Sequence, residues 1–525
     1  MGSAMESPRR NILFLIADDL GKCLPCYGAK GLNTPNIDKL AATGTVFDNA
    51  FTSTASCSAS RTVMYTGLHP HENGQYGLMG GVNHYQSFDH IQSGALLFNS
   101  LGYQTGIIGK VHVGPPSVFP WAVREESETR NVAWTAQRAE AFFKETQASG
   151  NPFFLTVGYV DPHRDITTRG GFGNQEDCKG TFTAPNIQLD QVEIPDWLTD
   201  VEETRQEYVE YYKAIERLDY GIGLVLDALD RQGLTDSTLV VLCSDNGPPF
   251  INSKTTLYDA GVQLPFIVRQ PGAPVAGMRN PNLISYIDIL PTFLDWAGAP
   301  SDLSTPVEAA PGQIHTMETR PPPHPKRLGR SFLSILGRGE HLDAREWQQE
   351  VFGSHTFHEV HNYWPTRFLR TKRFKYHRNI AWQLDFPFAS DLYASLSLEG
   401  IRKQSTAQTG GDVMVGARSL RQYIKRPVEE LYDMEADPLE VQNLADKEEF
   451  RGVLERMRAR VEAWQFQTGD PWLMRDGQSV QALQRYAQED LRVPGTWDFV
   501  VDGAAYSQMQ MRRVDNPLQK DAGPR

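Results

Sequence analysis

The feature that most constrains the fold of this 525-residue chain is the alternation of short apolar runs with helical patterns. The runs at residues 11–17, 153–160 and 239–243 are nearly continuous in apolar residues, as strands buried on both faces are. Helical periodicity lies between them, at residues 132–146 and 205–231. This alternation predicts an α/β protein with a mostly parallel sheet sandwiched by helices.

The pattern changes in the second part of the chain, which is long for a single core. Residues 301–330 are rich in proline, serine and glycine and predict a surface loop. Past residue 360 strand and helix patterns no longer alternate regularly, and a helix is predicted at residues 448–466. We therefore predict a main domain over residues 8–360 and a smaller α+β subdomain over residues 361–510.

The composition excludes several classes of partner. The formal net charge is −13, whereas nucleic-acid binding needs a basic face. No apolar run reaches the roughly 18 residues of a membrane-spanning helix, so no membrane partner is expected. The five cysteines do not suggest a disulfide framework. Cys23 and Cys26 have redox or zinc spacing, but no second pair or nearby histidine completes a zinc site.

Polar side chains follow four of the predicted strands. The residues concerned are Asp18 and Asp19, Lys110 and His112, Asp161 and His163, and Asp245 and Asn246. Lys110 and His112 are two residues apart in a run that reads as extended, which predicts that they share a face. Ligands of open parallel sheets bind outside the carboxyl ends of the strands. We therefore expect the four groups to converge on one site.

The residue types in these groups indicate a metal ion and acid–base chemistry. The set of Asp18, Asp19, Asp245 and Asn246 offers oxygen donors alone, which suits Ca²⁺ or Mg²⁺ and not zinc. His112 and His163 titrate near neutral pH and can serve as base and acid. Lys110 adds positive charge, which a chain of negative net charge needs locally in order to hold an anionic substrate.

A cysteine lies just ahead of a helical run. Cys57 precedes the pattern at residues 58–66, and Arg61 lies one helical turn further on, on the same face. The N-terminus of a helix attracts an anion through its free N–H groups and its dipole. By itself this pattern fits a small buried cysteine equally well. Combined with the four strand-end groups, it favours a nucleophile at an oxyanion-ester site.

The run from Cys57 to Arg61 resembles the C-x-P-S-R motif of the type I sulfatases, with Ala59 where the family usually has proline. Runs that resemble the heparan N-sulfatase (sulfamidase) branch of this family occur at residues 106–114, 161–164, 245–247, 351–360 and 430–438. The resemblance covers most of the chain. It implies an alkaline-phosphatase-like fold and a cysteine that a formylglycine-generating enzyme oxidises to formylglycine.

The resemblance also implies roles for single residues. The implied catalytic residues are Cys57, Arg61, Lys110, His112 and His163. The implied ligands of Ca²⁺, with Mg²⁺ as the alternative, are Asp18, Asp19, Cys57, Asp245 and Asn246. The candidate substrate-binding residues are Lys254, His84, Asp161, His358 and Glu359. His163 would protonate the leaving group, and His112 would take the proton whose loss expels sulfate.

The predicted function is hydrolysis of sulfamate or sulfate ester bonds in a small substrate such as a sulfated sugar. Two alternatives stay open. One is a phosphonate or phosphate ester hydrolase of the same fold, although phosphate monoesterases of this kind usually need two zinc ions and more histidines than we can assemble here. The other is a non-catalytic relative that binds sulfated sugars, favoured if Ala59 blocks formation of formylglycine.

Further expectations concern location and assembly. The chain shows no recognisable signal segment and no Asn-x-Ser/Thr acceptor, so a cytoplasmic location is expected. A homodimer is an open alternative to a monomer. Cys178 stands alone where the related branch has a pair of cysteines, so the disulfide of that branch is not expected.

Overall fold

The computed structural model describes residues 10–175, 182–273, 275–300, 324–407 and 412–472, with a short strand pair at residues 500–501 and 511–512. Its largest element is a sheet of nine strands in the described residues. The strands are β1 (Asn11–Ala17), β2 (Thr45–Phe51), β3 (Gln104–Gly109), β4 (Val123–Glu126), β5 (Phe153–Gly158), β6 (Thr238–Ser244), β7 (Gln263–Leu264), β8 (Phe266–Arg269) and β9 (Met278–Ser285). Their order is β4-β3-β5-β1-β6-β8-β2-β7, and β9 pairs with β2.

Helices cover both faces of this sheet. They are α1 (Pro35–Thr43), α2 (Cys57–Thr66), α3 (Pro70–Asn73), α4 (Gly94–Ser100), α5 (Val132–Ser149), α6 (Glu202–Arg231), α7 (Asp259–Val262) and α8 (Ile289–Trp296). In β1, Leu13 and Leu15 belong to the core formed with α5 and α6, whereas Ile12 and Phe14 belong to the core formed with α2 and α8. Every residue of β1 is therefore buried, which is why its sequence is continuously apolar.

The centre of the sheet is parallel, as predicted. Strands β3, β5, β1 and β6 are neighbours, and all their pairings are parallel. The predicted α/β class, a mostly parallel sheet between helices, is confirmed. The run at residues 264–269, predicted as one further strand, is divided into β7 and β8, and both pair antiparallel to their neighbours.

The second part of the chain forms a small antiparallel sheet. Its strands are β10 (Glu350–His355), β11 (Thr366–Thr371), β12 (Phe374–Asn379) and β15 (Glu429–Asp433) in that order, and β13 (Met414–Val415) pairs with β14 (Arg418–Ser419). The helices here are α9 (Ser390–Tyr393), α10 (Leu396–Ala407), α11 (Leu420–Ile424) and α12 (Arg451–Gln467). The last of these is the helix predicted at residues 448–466, and it packs on the small sheet. An α+β arrangement is therefore present.

The position of the domain boundary stays a prediction. The first strand of the small sheet, β10, already lies before residue 361, within the predicted main domain of residues 8–360. Most of the loop predicted at residues 301–330 falls on residues 301–323, outside the described residues, and so does Cys178. Within the described chain, none of the helices is both long and apolar enough to cross a membrane.

The turn after β3 departs from the prediction. The strand ends at Gly109, whose φ is 86°, and His112 itself has a φ of 55°. A Cβ atom at residue 109 would lie 2.2 Å from the carbonyl oxygen of Gly158, so only glycine fits against the neighbouring strand. The expectation that Lys110 and His112 share one face of an extended segment is therefore wrong. The backbone turns twice within four residues.

Candidate active site

The four predicted groups lie together at the carboxyl edge of the parallel strands. Asp18 and Asp19 follow β1, and Asp245 and Asn246 follow β6, its direct neighbour. Backbone hydrogen bonds join the strand ends: the N–H of Asp245 donates to Ala17 (3.0 Å), as the sheet ladder continues past the last strand residue. The parallel topology thus brings together side chains that are more than 220 residues apart in sequence.

An acid–amide cluster forms the floor of the site. Asp19 has a left-handed backbone, with φ of 64°, although it is fully buried. Its N–H donates to Oδ1 of Asp245 (3.1 Å), and Nδ2 of Asn246 donates to its Oδ1 (2.7 Å). A positive φ is unfavourable for a residue other than glycine. Here the turn directs the Asp19 carboxylate across to the end of β6.

Each carboxylate of this cluster has a basic partner. The pairs are Arg61 with Asp245, Lys110 with Asp18, and Lys254 with Asp19. Nε of Arg61 lies 2.9 Å from Oδ2 of Asp245, and Nζ of Lys254 lies 2.9 Å from Oδ2 of Asp19. All six side chains are almost completely buried. When all six groups are ionised, the three acidic and three basic charges of the cluster balance one another.

The local charges move the pKa values of the acids in opposite directions. Burial opposes ionisation of Asp18, but Lys110 and the other nearby cations outweigh it and hold its pKa well below the usual range. Burial raises the pKa of Asp245 to about 7, and the negative charge of Asp18 adds to this effect despite Arg61. Bringing several carboxylates together is therefore unfavourable without further positive charge.

The cluster fits a divalent cation. Oδ1 of Asp18 and Oδ1 of Asn246 are buried and have no hydrogen-bond partner among the described residues. Donor atoms of Asp18, Asp19, Cys57 and His163 all lie within 4.8 Å of one another. An unpaired buried acceptor costs free energy, and a cation that binds it removes that cost. Carboxylate and amide oxygens are the donors that hard divalent cations prefer.

Cys57 is the first residue of α2 and is almost completely buried. Its Sγ lies 3.9 Å from Oδ1 of Asp19, and Arg61 follows one turn later in the same helix. Burial, and then the charge of Asp18, raise the pKa of the thiol well above its usual value. The thiol is therefore protonated and a weak nucleophile, because the thiolate is the reactive form of cysteine.

Three buried histidines hold the segment that leads into α2. The pairs, with oxygen–nitrogen distances of 2.8–3.0 Å, are Ser53 with His69, Thr54 with His355, and Ser56 with His358. We call this group of six residues the histidine brace. Two of its histidines, His355 and His358, come from the second part of the chain. The position of Cys57 thus depends on contacts between both parts.

The two predicted acid–base histidines both line the site. Nδ1 of His163 lies 2.8 Å from the carbonyl oxygen of Arg164, which can only accept a hydrogen bond. Its Nε2 therefore faces the cluster, 3.2 Å from Nζ of Lys254. Nδ1 of His112 has no partner among the described residues. Burial and a neighbouring lysine lower the pKa of both imidazoles, so both are neutral at neutral pH.

A cavity of about 560 Å³ opens above this floor. Cys57, His112, His163 and Lys254 line it at the inner end. Asp391, in α9, also lines it and accepts a hydrogen bond from Nζ of Lys254 at 2.9 Å. Sequence reasoning missed Asp391, because it belongs to no recognisable motif and lies almost 140 residues from Lys254 in sequence.

The candidate substrate-binding residues have different positions. Lys254, His358 and Glu359 line the cavity. Asp161 does not line the cavity, and its predicted role in substrate binding is corrected. Its buried carboxylate accepts hydrogen bonds from Arg130 at 2.6 Å and from Arg217 at 2.7 Å, so it forms structural ion pairs with both arginines. His84 lies on an exposed loop and is not among the residues that line the cavity. Its role stays a prediction.

Cys23 and Cys26 are not among the residues that line this cavity. Both are free thiols, and burial raises the pKa of each to about 12. A protonated thiol is neither a good metal ligand nor a redox nucleophile. The spacing of these two cysteines therefore indicates neither a metal ligand nor a redox role here.

Fold and site together define an alkaline-phosphatase-like hydrolase that takes an oxyanion ester above a floor that fits a divalent cation. The sulfatase family model matches residues 10–299. The chain is 35% identical to human N-sulphoglucosamine sulphohydrolase over 490 residues, which cover 88% of this chain and 91% of that protein. It is 28% identical to an ulvan-active sulfatase of Formosa agariphila, covering 89% and 82% of the two chains.

A solved structure agrees with this result. The yidJ protein of Bacteroides fragilis, assigned to the sulfatases, superposes with a TM-score of 0.62 at 18% identity, covering 90% of this chain and 99% of that one. This likeness concerns the fold. On the family match and the identity to the human relative, the chain belongs to the sulfatase family. It is a hydrolase of sulfuric ester or sulfamate bonds.

Proposed function

We propose that this protein hydrolyses the sulfamate bond of N-sulfoglucosamine at the end of a sugar substrate. The observation that carries this proposal is the 35% identity to human N-sulphoglucosamine sulphohydrolase across nearly the whole of both chains. The arrangement of Cys57, Arg61, Lys110 and His163 around one buried cluster supports it. O-sulfated sugars are the second candidate class of substrate, because the family includes enzymes for both.

The site needs two additions that the family implies. We propose Ca²⁺ on Asp18, Asp19, Asp245 and Asn246, since their donors are all oxygen, and formylglycine at Cys57, made by a formylglycine-generating enzyme. The hydrated formylglycine supplies a hydroxyl nucleophile at the position that Sγ of Cys57 occupies, and the cation offsets the negative charge of the sulfate. The balanced floor would then carry two excess positive charges, which favours an anionic group above it.

The basic residues of the floor orient the sulfate. Arg61 pairs with Asp245 and lies 3.8 Å from Asp18, Lys110 pairs with Asp18, and Lys254 pairs with Asp19. Each is held by a carboxylate, so its position is fixed before substrate binds. Hydrogen-bond donors that are already in place lower the barrier because they need not reorganise during the reaction.

The histidines move the protons. His163 presents Nε2 to the cavity because Nδ1–H donates to a backbone carbonyl. Nε2 of the neutral imidazole carries no proton, so His163 acts as general acid only in its doubly protonated form, which the nearby carboxylates of Asp19 and Asp18 favour. His112 lies beside Lys110 with Nδ1 unpaired among the described residues, and a neutral imidazole there can accept a proton. We assign His163 as general acid and His112 as general base.

The test combines mass spectrometry with turnover. Protein made in a host with a formylglycine-generating enzyme is digested, and the peptide that contains Cys57 is analysed for conversion of thiol to aldehyde. The same preparation is assayed with N-sulfoglucosamine, a nitrophenyl sulfate and a phosphonate monoester. We expect aldehyde, cleavage of N-sulfoglucosamine, and little cleavage of the phosphonate.

Other outcomes would contradict the proposal at different levels. A Cys57 peptide that is entirely thiol in an active preparation would remove the formylglycine mechanism. Cleavage of O-sulfate alone would leave a sulfatase without sulfamidase activity. A Cys57→Ala variant is the control, because it removes the nucleophile while alanine fits the start of α2.

A further inference from the structure

Asp391 lines the cavity next to Lys254 and close to His163, which we assign as the general acid for the leaving group. Its Oδ2 is 2.9 Å from Nζ of Lys254, which in turn lies 3.2 Å from Nε2 of His163. The side chain of Asp391 is 14% exposed, whereas Lys254 beneath it is 1% exposed. Asp391 is therefore the outer member of this chain of contacts, and it faces the open part of the cavity.

The Asp391 carboxylate has free capacity to accept hydrogen bonds. Oδ2 accepts from Lys254, and Oδ1 accepts from the N–H of Leu392 at 2.9 Å. A carboxylate has about four acceptor positions, so about two are left for a ligand by its partners in the described part of the chain. Burial opposes its ionisation, but Lys254 and then His358 outweigh burial and hold its pKa below the usual range. The group is ionised at neutral pH.

The protein fixes the position of Asp391. Oε2 of Glu359 accepts hydrogen bonds from both N and Oγ of Ser390, each at 2.9 Å. These bonds hold the start of α9 against the wall of the cavity, one residue before Asp391. Glu359 thus acts through Ser390 as a positioning residue. A carboxylate that is held in place and partly open to a cavity is suited to recognition of hydrogen-bond donors.

We propose that Asp391 is the residue that selects leaving groups with a nitrogen donor, by binding the amine side of an amino sugar. This rests on the proposed function. Cleavage of a sulfamate releases an amine, which is cationic at neutral pH, whereas cleavage of an aryl sulfate releases a phenol. An ionised carboxylate beside the leaving position stabilises the amine and gives the phenol no comparable contact. Selectivity for N–S over O–S bonds then arises outside the sulfate-binding floor.

Product binding tests this inference apart from turnover. Isothermal titration calorimetry is carried out on enzyme that contains Ca²⁺ and formylglycine. The two ligands are glucosamine hydrochloride and glucose, which differ in that only glucosamine carries an amine. We expect the wild type to bind glucosamine at least about ten-fold more tightly than glucose. Asp391→Asn should lose about ten- to a hundred-fold of the glucosamine affinity, as expected for a hydrogen bond to a charged group. Glucose affinity should change little.

Matched variants separate recognition from structure. Asp391→Glu keeps the charge and should retain the preference for glucosamine. Asp385→Asn is the control, because Asp385 is an exposed carboxylate six residues away that pairs with Lys425 at the surface. It should leave both sugar affinities unchanged. If Asp391→Asn does not fold, competition of glucosamine against glucose in wild-type aryl sulfate hydrolysis tests the same preference without a variant.

The outcomes also distinguish this inference from the proposed function. Equal affinity of the wild type for glucosamine and glucose, or unchanged glucosamine binding by Asp391→Asn, would overturn the inference even if N-sulfoglucosamine is cleaved. A wild type that binds glucosamine through Asp391 but leaves N-sulfoglucosamine intact would refute the proposed function and support the role of Asp391. In turnover, Asp391→Asn should lower kcat/KM for N-sulfoglucosamine about ten-fold or more relative to nitrophenyl sulfate.

Discussion

At the scale of single residues, the site is defined by carboxylates that repel one another unless positive charge is supplied. Asp245 shows this most clearly, since burial and Asp18 raise its pKa to about 7 even though Arg61 contacts it. Its Oδ1 also accepts the N–H of Asp19. Because burial and Asp18 oppose Arg61 in setting the pKa of Asp245, this residue is the most direct place to test the metal site.

We predict that Asp245→Asn loses metal and activity together. Asparagine keeps the shape and the contact to Asp19 but removes one negative charge from the ligand set. Changes that only support metal ligands cost about 10–100-fold in affinity, so the loss here should be at least that large. Elemental analysis and turnover measure the two effects, and Ca²⁺ should restore activity to chelated wild type. Stoichiometric zinc in active enzyme would contradict the oxygen-ligand assignment.

We predict that His163→Ala affects substrates according to their leaving group. A general acid contributes about 10²–10⁴-fold when the leaving group needs a proton. An amine leaves only when protonated, whereas a nitrophenolate leaves well without a proton. The variant should therefore lose about that factor in kcat for N-sulfoglucosamine and much less for nitrophenyl sulfate. Equal losses on both substrates would indicate that His163 binds the sulfate instead.

The acids and the amide of the floor were predictable because they directly follow apolar strands. Asp18 and Asp245 needed only the rule that parallel strands end at one edge. Asp391 was not predictable, since its proximity to Lys254 depends on how the second part of the chain packs. Asp161 lies in the right motif but carries a structural role, because Arg130 and Arg217 occupy its carboxylate. Sequence position alone does not tell which side chains of a motif face the cavity.

At the scale of elements, the histidine brace ties the start of α2 to strand β10. His355 is the last residue of β10, and its Nδ1 lies 2.8 Å from Oγ1 of Thr54. Burial, and then the charge of Arg367, lower the pKa of His355 to about 3 from an ordinary value of 6.5. The imidazole is neutral in the folded protein at every pH at which it would be charged when unfolded, from about 6.5 down to about 3.

We predict that His355 makes the folded protein less stable in acid. As the pH falls below 6.5 the unfolded chain binds a proton that the folded protein excludes, so the free energy of unfolding decreases. For His355 the decrease between about pH 7.5 and pH 5 is about 2 kcal/mol. His355→Asn keeps a hydrogen-bonding group near Thr54 and removes the titration. Urea unfolding at both pH values should show that difference reduced by about 2 kcal/mol. An unchanged pH dependence would contradict this account.

Long, strongly patterned elements were predictable, and short or turning ones were not. β1 and α6 have clear apolar patterns, and both lie where the sequence predicts them. β2 and β9 were not predicted; each carries polar residues among its apolar ones, and they form the mixed edge of the sheet. The turn at Gly109 was missed because its cause, contact with the neighbouring strand, is not visible in the local sequence.

At the scale of the whole molecule, the two parts of the chain meet behind the nucleophile. The N–H of Ser354 in β10 donates to the carbonyl oxygen of Ser53 at 2.8 Å, which joins the small sheet to the segment before α2. Arg367 in β11 donates through Nη1 to the carbonyl oxygen of His355 at 2.8 Å. The predicted division into residues 8–360 and 361–510 stays a prediction.

The same Arg367 anchors the end of the second part. Nε and Nη2 of Arg367 donate to the two carboxylate oxygens of Asp470 at 2.6 and 2.8 Å, and both side chains are fully buried. Asp470 follows α12 and also accepts the side-chain amide of Gln465 at 2.9 Å. The pair therefore links the end of α12, the small sheet and, through His355, the histidine brace.

We predict that Asp470→Ala destabilises the protein by about 3–5 kcal/mol, because it leaves a buried guanidinium without its counter-charge. The control is Glu350→Ala, which removes a partly exposed pair between Glu350 of β10 and Arg460 of α12 and should cost about 0–1 kcal/mol. Urea unfolding gives both values. Because Arg367 also holds the carbonyl of His355, Asp470→Ala should lower kcat even at temperatures where the variant is fully folded, whereas Glu350→Ala should not. Similar small losses of stability in the two variants would show that the buried pair does not join the parts of the molecule.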